Sequence, residues 1–420
     1  MSINHHLLAK ITTDSILAKY KSGEWKVLNI DSTSIYRTGC SSTFPSPDAM
    51  FYNEANNIAI SFEFKPPTET KRGILTGLGQ TIAYLNSCNV SFLIIPDELE
   101  GFAIGDFMAE IYKKQISNKI PIGLVTYKNN NPELVSLRHH VSETNNHDIY
   151  SSIRNNRFWA KHQDMPVALF HLLLHCYYLK KVNICEDAFK YIWDKYLLPA
   201  GSIENLAPVD INDVAGSVIR TLSGTKNLRI FEKKINKARL DIAQNPDSRI
   251  DIIRTLQDDA SSSSAGDNYY NSLKKNYLSF LRHVEMIDST ESLTELGIKY
   301  YHLGLTNGPT SKIFIDYFIK LILTTGHHIE LIFDYDSLCK KYGYELSDTD
   351  LKKKMYEDYE IKGMIKRNPN RAASSNSNVG PFKYEFILWN SLNLIMSPSP
   401  QNKISFNWKK ITESCSLPDL

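Results

Sequence analysis

The chain predicts an α/β fold at its N-terminal end, a mixed sheet flanked by helices, followed by a mostly helical region. Three observations predict this. Short β-patterned runs alternate with helix-patterned ones across residues 1–145. From about residue 150 the apolar residues recur only at helical spacing. The composition, 42% hydrophobic and 22% charged over 420 residues, is that of an ordinary globular chain long enough for two or three domains.

The elements follow in order. Residues 3–21 place Leu7, Leu8, Ile11, Ile16, Leu17 and Tyr20 near helical spacing, and Gly23 ends that helix. Trp25 to Ile30 is a predicted strand, and 32–47, rich in Ser, Thr, Gly and Pro, a predicted loop. A hairpin comes next: Ala49–Tyr52 is one arm, Asn53–Asn57 has turn chemistry, and Ile58–Lys65 is the other arm. Residues 72–86 read as a helix, Asn89–Ile95 as a buried strand stopped by Pro96-Asp97, Ile104–Gln115 as a helix and Ile120–Thr126 as the last strand. Beyond them, Pro166–Lys180, Cys185–Leu197, Asn271–Met286 and Ser311–Thr324 read as helices, and 381–396 as helix or strand. The stretch 244–267 reads as a flexible junction and 368–379 as a polar gap. The predicted domains are therefore 1–145, 146–265 and 266–420.

The hairpin carries the chemistry. Along Ile58–Lys65 the side chains alternate, so Ile58, Ile60, Phe62 and Phe64 share one face, and Ala59, Ser61, Glu63 and Lys65 the other. The second face sets a carboxylate beside an ammonium, which a plain buried strand would not choose. If Asn53 pairs with Ile58, Asp48 falls opposite Glu63, and a slip of one residue in the turn would undo this. With that register the two carboxylates can hold Mg²⁺ through oxygen, and the metal can acidify a water and neutralise charge on a phosphate. The competing account is a surface ion pair of Glu63 with Lys65 and a turn-capping Asp48.

Pro47-Asp48, a gap of 14 residues, and Glu63-Phe64-Lys65 resemble the PD-(D/E)xK nuclease superfamily. The following segment GLGQTIAYL adds Gln80 and Tyr84 at i and i+4, similar to the QxxxY element of its RecB and lambda-exonuclease branch. The resemblance covers roughly residues 24–126 and implies a restriction-endonuclease-like core in residues 1–145. It implies metal ligation by Asp48 and Glu63, a catalytic Lys65, and a Gln80 that helps place the site near DNA, with Tyr84 as a lesser member. Glu24 is the best match for a further metal-assisting acid, and Asp14 the second. The implied cofactor is Mg²⁺, with Mn²⁺ as a substitute. The implied activity is DNA phosphodiester hydrolysis by a type II restriction endonuclease or a related phage-defence nuclease. Its partners would be double-stranded DNA, a second copy of the chain, and a DNA methyltransferase acting on the same site. The rivals are a non-catalytic DNA-binding protein on a nuclease-like fold and a defence nuclease that responds to RNA or a nucleotide.

Other features are weaker. His171 and His175 at i, i+4 lack a third ligand and read as partly buried core histidines. His139-His140 and His327-His328 take no role. Gly77 and Gly79 permit close packing of a helix; TGLGQ is no phosphate loop, since no GK[ST] follows. Tyr277–Gly304, with its LTELG, is similar to the end of a winged-helix module reading a DNA groove, with Lys274, Lys275 and Arg282 nearby; a helical bundle accounts for it equally well. Basic clusters at 226–229, 233–239 and 352–371 could meet phosphates or be solvated helix faces. Net charge is only +2, so any nucleic-acid contact must be local. Six scattered cysteines without a CxxC pair suit a reducing cytoplasm. The start of the chain has no secretion pattern, and Val167–Leu179 is too short to span a bilayer.

Overall fold

The computed structural model describes residues 3–26, 28, 34–39, 46–145, 157–162, 165, 167–192, 237–262, 266–342, 345–366, 382–396 and 404–420. The chain divides into two compact units: residues 1–160 with 319–419, and residues 161–318 with Leu420. The first unit is thus built from both ends of the chain. The boundary predicted at 145 falls inside the first unit and that at 265 inside the second.

The first unit opens with α1 (Ile3–Lys21), ended by Gly23 at φ +75°. A six-stranded sheet follows in the order β1 (Ile35–Thr38), β2 (Ala49–Asn53), β3 (Ile58–Phe64), β4 (Val90–Pro96), β5 (Ile122–Lys128) and β6 (Asn131–His139). β1, β2 and β3 pair antiparallel, β3, β4 and β5 parallel, and β6 returns antiparallel to β5. The parallel crossovers run through α2 (Lys71–Ala83) and α3 (Ile104–Gln115). The expected mixed sheet flanked by helices is therefore present.

β3 and β4 are central, so both their faces are covered and their sequences are nearly continuous apolar runs. On one face, Ile74 of α2 and Met108 and Tyr112 of α3 pack with Leu93, Ile95, Ile122 and Leu124. On the other, α1 brings Tyr20 against Phe51 and His5 against Phe64. Phe62 stacks between Phe51 and Phe92. Each such buried side chain contributes about 1.5–3 kcal/mol.

Two strand expectations need correction. Of the strand predicted at Trp25–Ile30, the described residues Trp25, Lys26 and Leu28 are not in a strand; Leu28 has φ +58°, which no strand accepts. Val27, Asn29 and Ile30 lie outside the described residues. Trp25 is instead a plug packed on Tyr20. The first strand is β1, inside the predicted loop. It is held by the Gly363 carbonyl, which accepts from the Arg37 N–H, and by Arg37 itself, whose guanidinium donates twice to Glu330 at 2.6 and 2.9 Å. β6 was not predicted, because an edge strand with a proline near its start and one face in water carries little apolar signal.

Among the described residues, the C-terminal part of this unit takes the end of a further helix, residues 319–323, with four more helices. They are α10 (His328–Tyr342), α11 (Asp348–Lys362), α12 (Lys383–Ser391) and α13 (Trp408–Cys415). A short ribbon, β7 (Ile395–Met396) with β8 (Ser405–Phe406), joins them. The strap Arg157–Ala160 is sealed into this part. Trp159 donates to buried Glu385 at 2.8 Å, and the Ala160 N–H donates to the Gly326 carbonyl. His328 Nε2 donates to the Ala160 carbonyl while its Nδ1 accepts from Trp389, which fixes a neutral tautomer. The polar gap 368–379 lies outside the described residues.

The second unit is helical: α4 (Val167–Lys181), α5 (Ala188–Ile192), α6 (Arg249–Ser262), α7 (Gly266–His283), α8 (Glu295–Asn307) and the first part of α9 (Lys312–Leu323). Phe170 packs on Phe280 and Phe314 at its centre. The predicted junction at 244–267 is instead mostly helix, a 3-10 turn at Pro246–Ser248 running into α6. Between α7 and α8 lies one bridge, Ile287 with Leu293, and Thr294 caps α8. His171 donates to the Tyr301 carbonyl, and both it and His175 lie against the Tyr301 ring, the core arrangement expected of them.

Candidate active site

The hairpin register is the one the chemistry requires. Asn53 pairs with Ile58 and Ala49 with Phe62, so one further step sets Asp48 opposite Glu63. Asp48 is fixed at both oxygens: Oδ2 accepts from the Phe64 N–H at 2.7 Å and Oδ1 lies 3.1 Å from His5 Nε2. Glu63 is also held twice. Its Oε1 accepts from Lys65 Nζ at 2.8 Å and its Oε2 from the Tyr84 hydroxyl. Lys65 gives a second N–H to Gln80 Oε1 at 2.9 Å. Tyr84, just past the end of α2, is also 3.1 Å from the Ser46 carbonyl. Glu63, Lys65, Gln80 and Tyr84 thus form one hydrogen-bonded group at the end of β3, and Asp48, held by His5 and the Phe64 N–H, acts on Glu63 through its charge.

Its electrostatics are those of two carboxylates competing for one volume. Burial, then the charge of Asp48, push the Glu63 carboxyl up to about 7, against the hydrogen bonds from Lys65 and Tyr84. Asp48 moves the other way. Burial alone would raise it, but His5 and the Phe64 N–H hold it below its ordinary value. Beside His5, the His6 ring is pressed down to about 3 by burial and by its histidine neighbours, so it stays neutral.

Two predicted residues are not in this group. Glu24 is a surface partner of Lys19 beyond the C-terminal end of α1. Because α1 has 19 residues, it is about 28 Å long, and its opposite end carries the His5 that touches Asp48. Glu24 is therefore corrected: it sits too far from Asp48 to share a metal. Asp14 belongs to a buried ion cluster with Lys10, Arg37 and Asp334. The place expected of a helix-borne acid is taken by His5, which the sequence reading missed. Its only signal was a His-His doublet on the first turn of α1.

The donor set suits a hard divalent cation. Among the described residues, no three His, Cys, Asp or Glu side chains are placed to enclose a metal alone. Mg²⁺ characteristically uses one or two carboxylates, waters and phosphate oxygens rather than an all-protein cage, and Asp48 with Glu63 offers that. The repulsion felt by Glu63 is what such a cation relieves.

The basic clusters are partly spent within the chain. Lys274 pairs with Asp187, Arg282 with Glu291, and Lys366 with Glu54. Lys352 lies 3.8 Å from the centre of the Phe386 ring. Residues 226–236, Arg367 and Arg371 lie outside the described residues. No helix among the described residues is long and apolar enough to cross a membrane. No protein-family model matches this chain, and no curated protein matches it.

Proposed function

We propose that the protein is a metal-dependent endonuclease that hydrolyses DNA phosphodiester bonds, a type II restriction endonuclease or related phage-defence nuclease. The observation that carries this reading is the convergence of Asp48, Glu63, Lys65 and Gln80 on one strand end, with Glu63 pushed up by burial and then by its carboxylate neighbour. Asp48 and Glu63 would hold Mg²⁺, which supplies an acidified water and charge neutralisation on the phosphate. Lys65 has three N–H donors, two of them committed to Glu63 and Gln80. The third orients the attacking water or bonds the phosphate oxygen on which charge accumulates. Gln80 and Tyr84 keep the lysine and the glutamate in register. His5 holds Asp48 ionised.

A double-strand break takes two such centres, so the acting form is a homodimer on double-stranded DNA. A restriction role further calls for a methyltransferase protecting the same sequence. The test is Mg²⁺-dependent cleavage of supercoiled plasmid by wild type and Lys65→Ala. Wild type should nick or linearise it and lose that activity with a chelator, and Lys65→Ala should be slower on the order of 10²–10⁴-fold. Equal rates in the two proteins would remove the catalytic assignment.

A further inference from the structure

We propose that Gly77 is a positioning residue for Lys65: a notch in α2 through which the lysine stem passes to reach Glu63 and Gln80. The inference rests on the reading of Lys65 as the active amine and adds the element that aims it.

Helix α2 contains glycines at 73, 77 and 79, each unfavourable in a helix interior relative to alanine. They are not equivalent. A Cβ on Gly79 would meet nothing within 4 Å. The nearest atoms to a Cβ on Gly73 would be the Oε1, Cδ and Cγ of Glu69, a side chain outside the candidate site. A Cβ on Gly77 would stand 2.6 Å from Lys65 Cε, 3.3 Å from its Cγ and 2.9 Å from Leu93 Cδ1. The lysine stem therefore occupies the volume that any other residue at 77 would fill.

The neighbours decide which group would give way. Leu93 is fully buried in the core between α2 and α3, packed with Ile74, Ile95 and Met108, so it has little room to move. Gly77 is itself held, its carbonyl accepting from Thr81 Oγ1 at 2.8 Å. Lys65 is the flexible partner. Gln80 lies one turn further along the same helix, three residues from Gly77, and its Oε1 grips the amine. Helix α2 thus holds Lys65 at two points, the stem at the notch and the amine at the amide. Both of its hydrogen bonds, to Glu63 and Gln80, depend on the stem lying in that notch. An alanine there pushes Cε away and breaks the alignment of the remaining N–H.

The test compares wild type, Gly77→Ala and Gly79→Ala. The proteins are labelled with ¹³C-lysine, the Lys65 Cε resonance is assigned by its loss in Lys65→Arg, and plasmid cleavage with Mg²⁺ is measured in parallel. In Gly77→Ala the Lys65 Cε resonance should shift, and kcat should fall on the order of 100-fold with KM unchanged, as a displacement of about 1 Å at a reacting group implies. In Gly79→Ala the resonance should stay, the rate should hold, and the unfolding midpoint should rise. A folded Gly77→Ala with an unmoved Lys65 resonance overturns the proposal, as does an equal loss in Gly79→Ala. If Gly77→Ala does not fold, the pair is made in a Leu93→Val background, which withdraws Cδ1 and leaves the lysine as the one close contact; the same resonance then decides. If wild type cleaves nothing, the nuclease reading fails while the resonance still reports on the notch.

Discussion

Glu63 is the residue on which protonation and the proposed metal binding meet. Its carboxyl ionises at about 7 in the folded chain against an ordinary 4.5. The folded state therefore binds this proton more tightly than the unfolded one. The stabilisation is complete below pH 4.5 and is lost as the pH rises to 7 and beyond, roughly 3 kcal/mol in all. At pH 8 the metal-free protein carries both Asp48 and Glu63 ionised at that cost, and the proposed divalent cation would offset it. Glu63→Gln should accordingly raise the stability of the metal-free protein at pH 8 by roughly 3 kcal/mol and abolish any increase in Tm on adding Mg²⁺ or Mn²⁺. Differential scanning calorimetry with and without metal at pH 5 and pH 8 measures both. A Glu63→Gln protein that still gains Tm from metal would locate the cation elsewhere. The residues of this group were legible because alternation along β3 and the i, i+4 spacing of Gln80 and Tyr84 are local rules. His5 was not, since only folding carries the start of α1 to a residue 43 positions away.

Among elements, α10 does the most unexpected work. Its Glu330 takes both guanidinium nitrogens of buried Arg37, its Asp334 takes Lys10 at 3.0 Å, and the Tyr359 hydroxyl of α11 closes the set on Asp334 at 2.5 Å. Burial opposes the charge on Glu330, yet Arg37 and His327 hold its carboxyl far below the usual range. A buried group so paired is destabilising to remove singly, because its partner is left charged and dry. Glu330→Ala should cost about 3–5 kcal/mol, read from urea unfolding at pH 7. The sign with pH is opposite to that of Glu63. The contribution of Glu330 is present above its ordinary pKa of 4.5 and is lost as the pH falls through and below it. A urea midpoint indifferent to Glu330→Ala would show that the cluster is not buried in solution. Neither this cluster nor β1 was visible beforehand. Arg37 and Glu330 are 293 residues apart, and no periodicity within IYRT announces a partner at that distance.

At the scale of the whole molecule, the candidate catalytic unit is closed by chain from both ends. Residues 1–145 contain the complete six-stranded sheet and every member of the candidate acid and base group, so they look like an autonomous domain. They lack Glu330 and Asp334, and without these Asp14 is left to face both Lys10 and Arg37. The fragment 1–145 is expected to give a poorly dispersed amide NMR spectrum and no cooperative unfolding, whereas the full chain gives both. A well-dispersed spectrum from the fragment would show that residues 319–419 are dispensable to the fold.

Local rules were enough for the sheet-forming runs β2 to β5 and the helices α1 to α3, and, given the Asn53–Ile58 register that the folded turn supplied, for the grouping of Asp48, Glu63, Lys65, Gln80 and Tyr84. Each depends on side-chain period, turn residues and spacing within about 40 positions, and the chain carries these wherever it goes. Tertiary structure alone decided β1, the edge strand β6, the exclusion of Glu24, the arrival of His5 and the return of the last hundred residues onto the first unit. Those outcomes depend on which buried charges find partners and which strand edges find cover. Such pairings are settled by competition among distant groups for one dry volume, and no stretch of sequence read by itself records who wins.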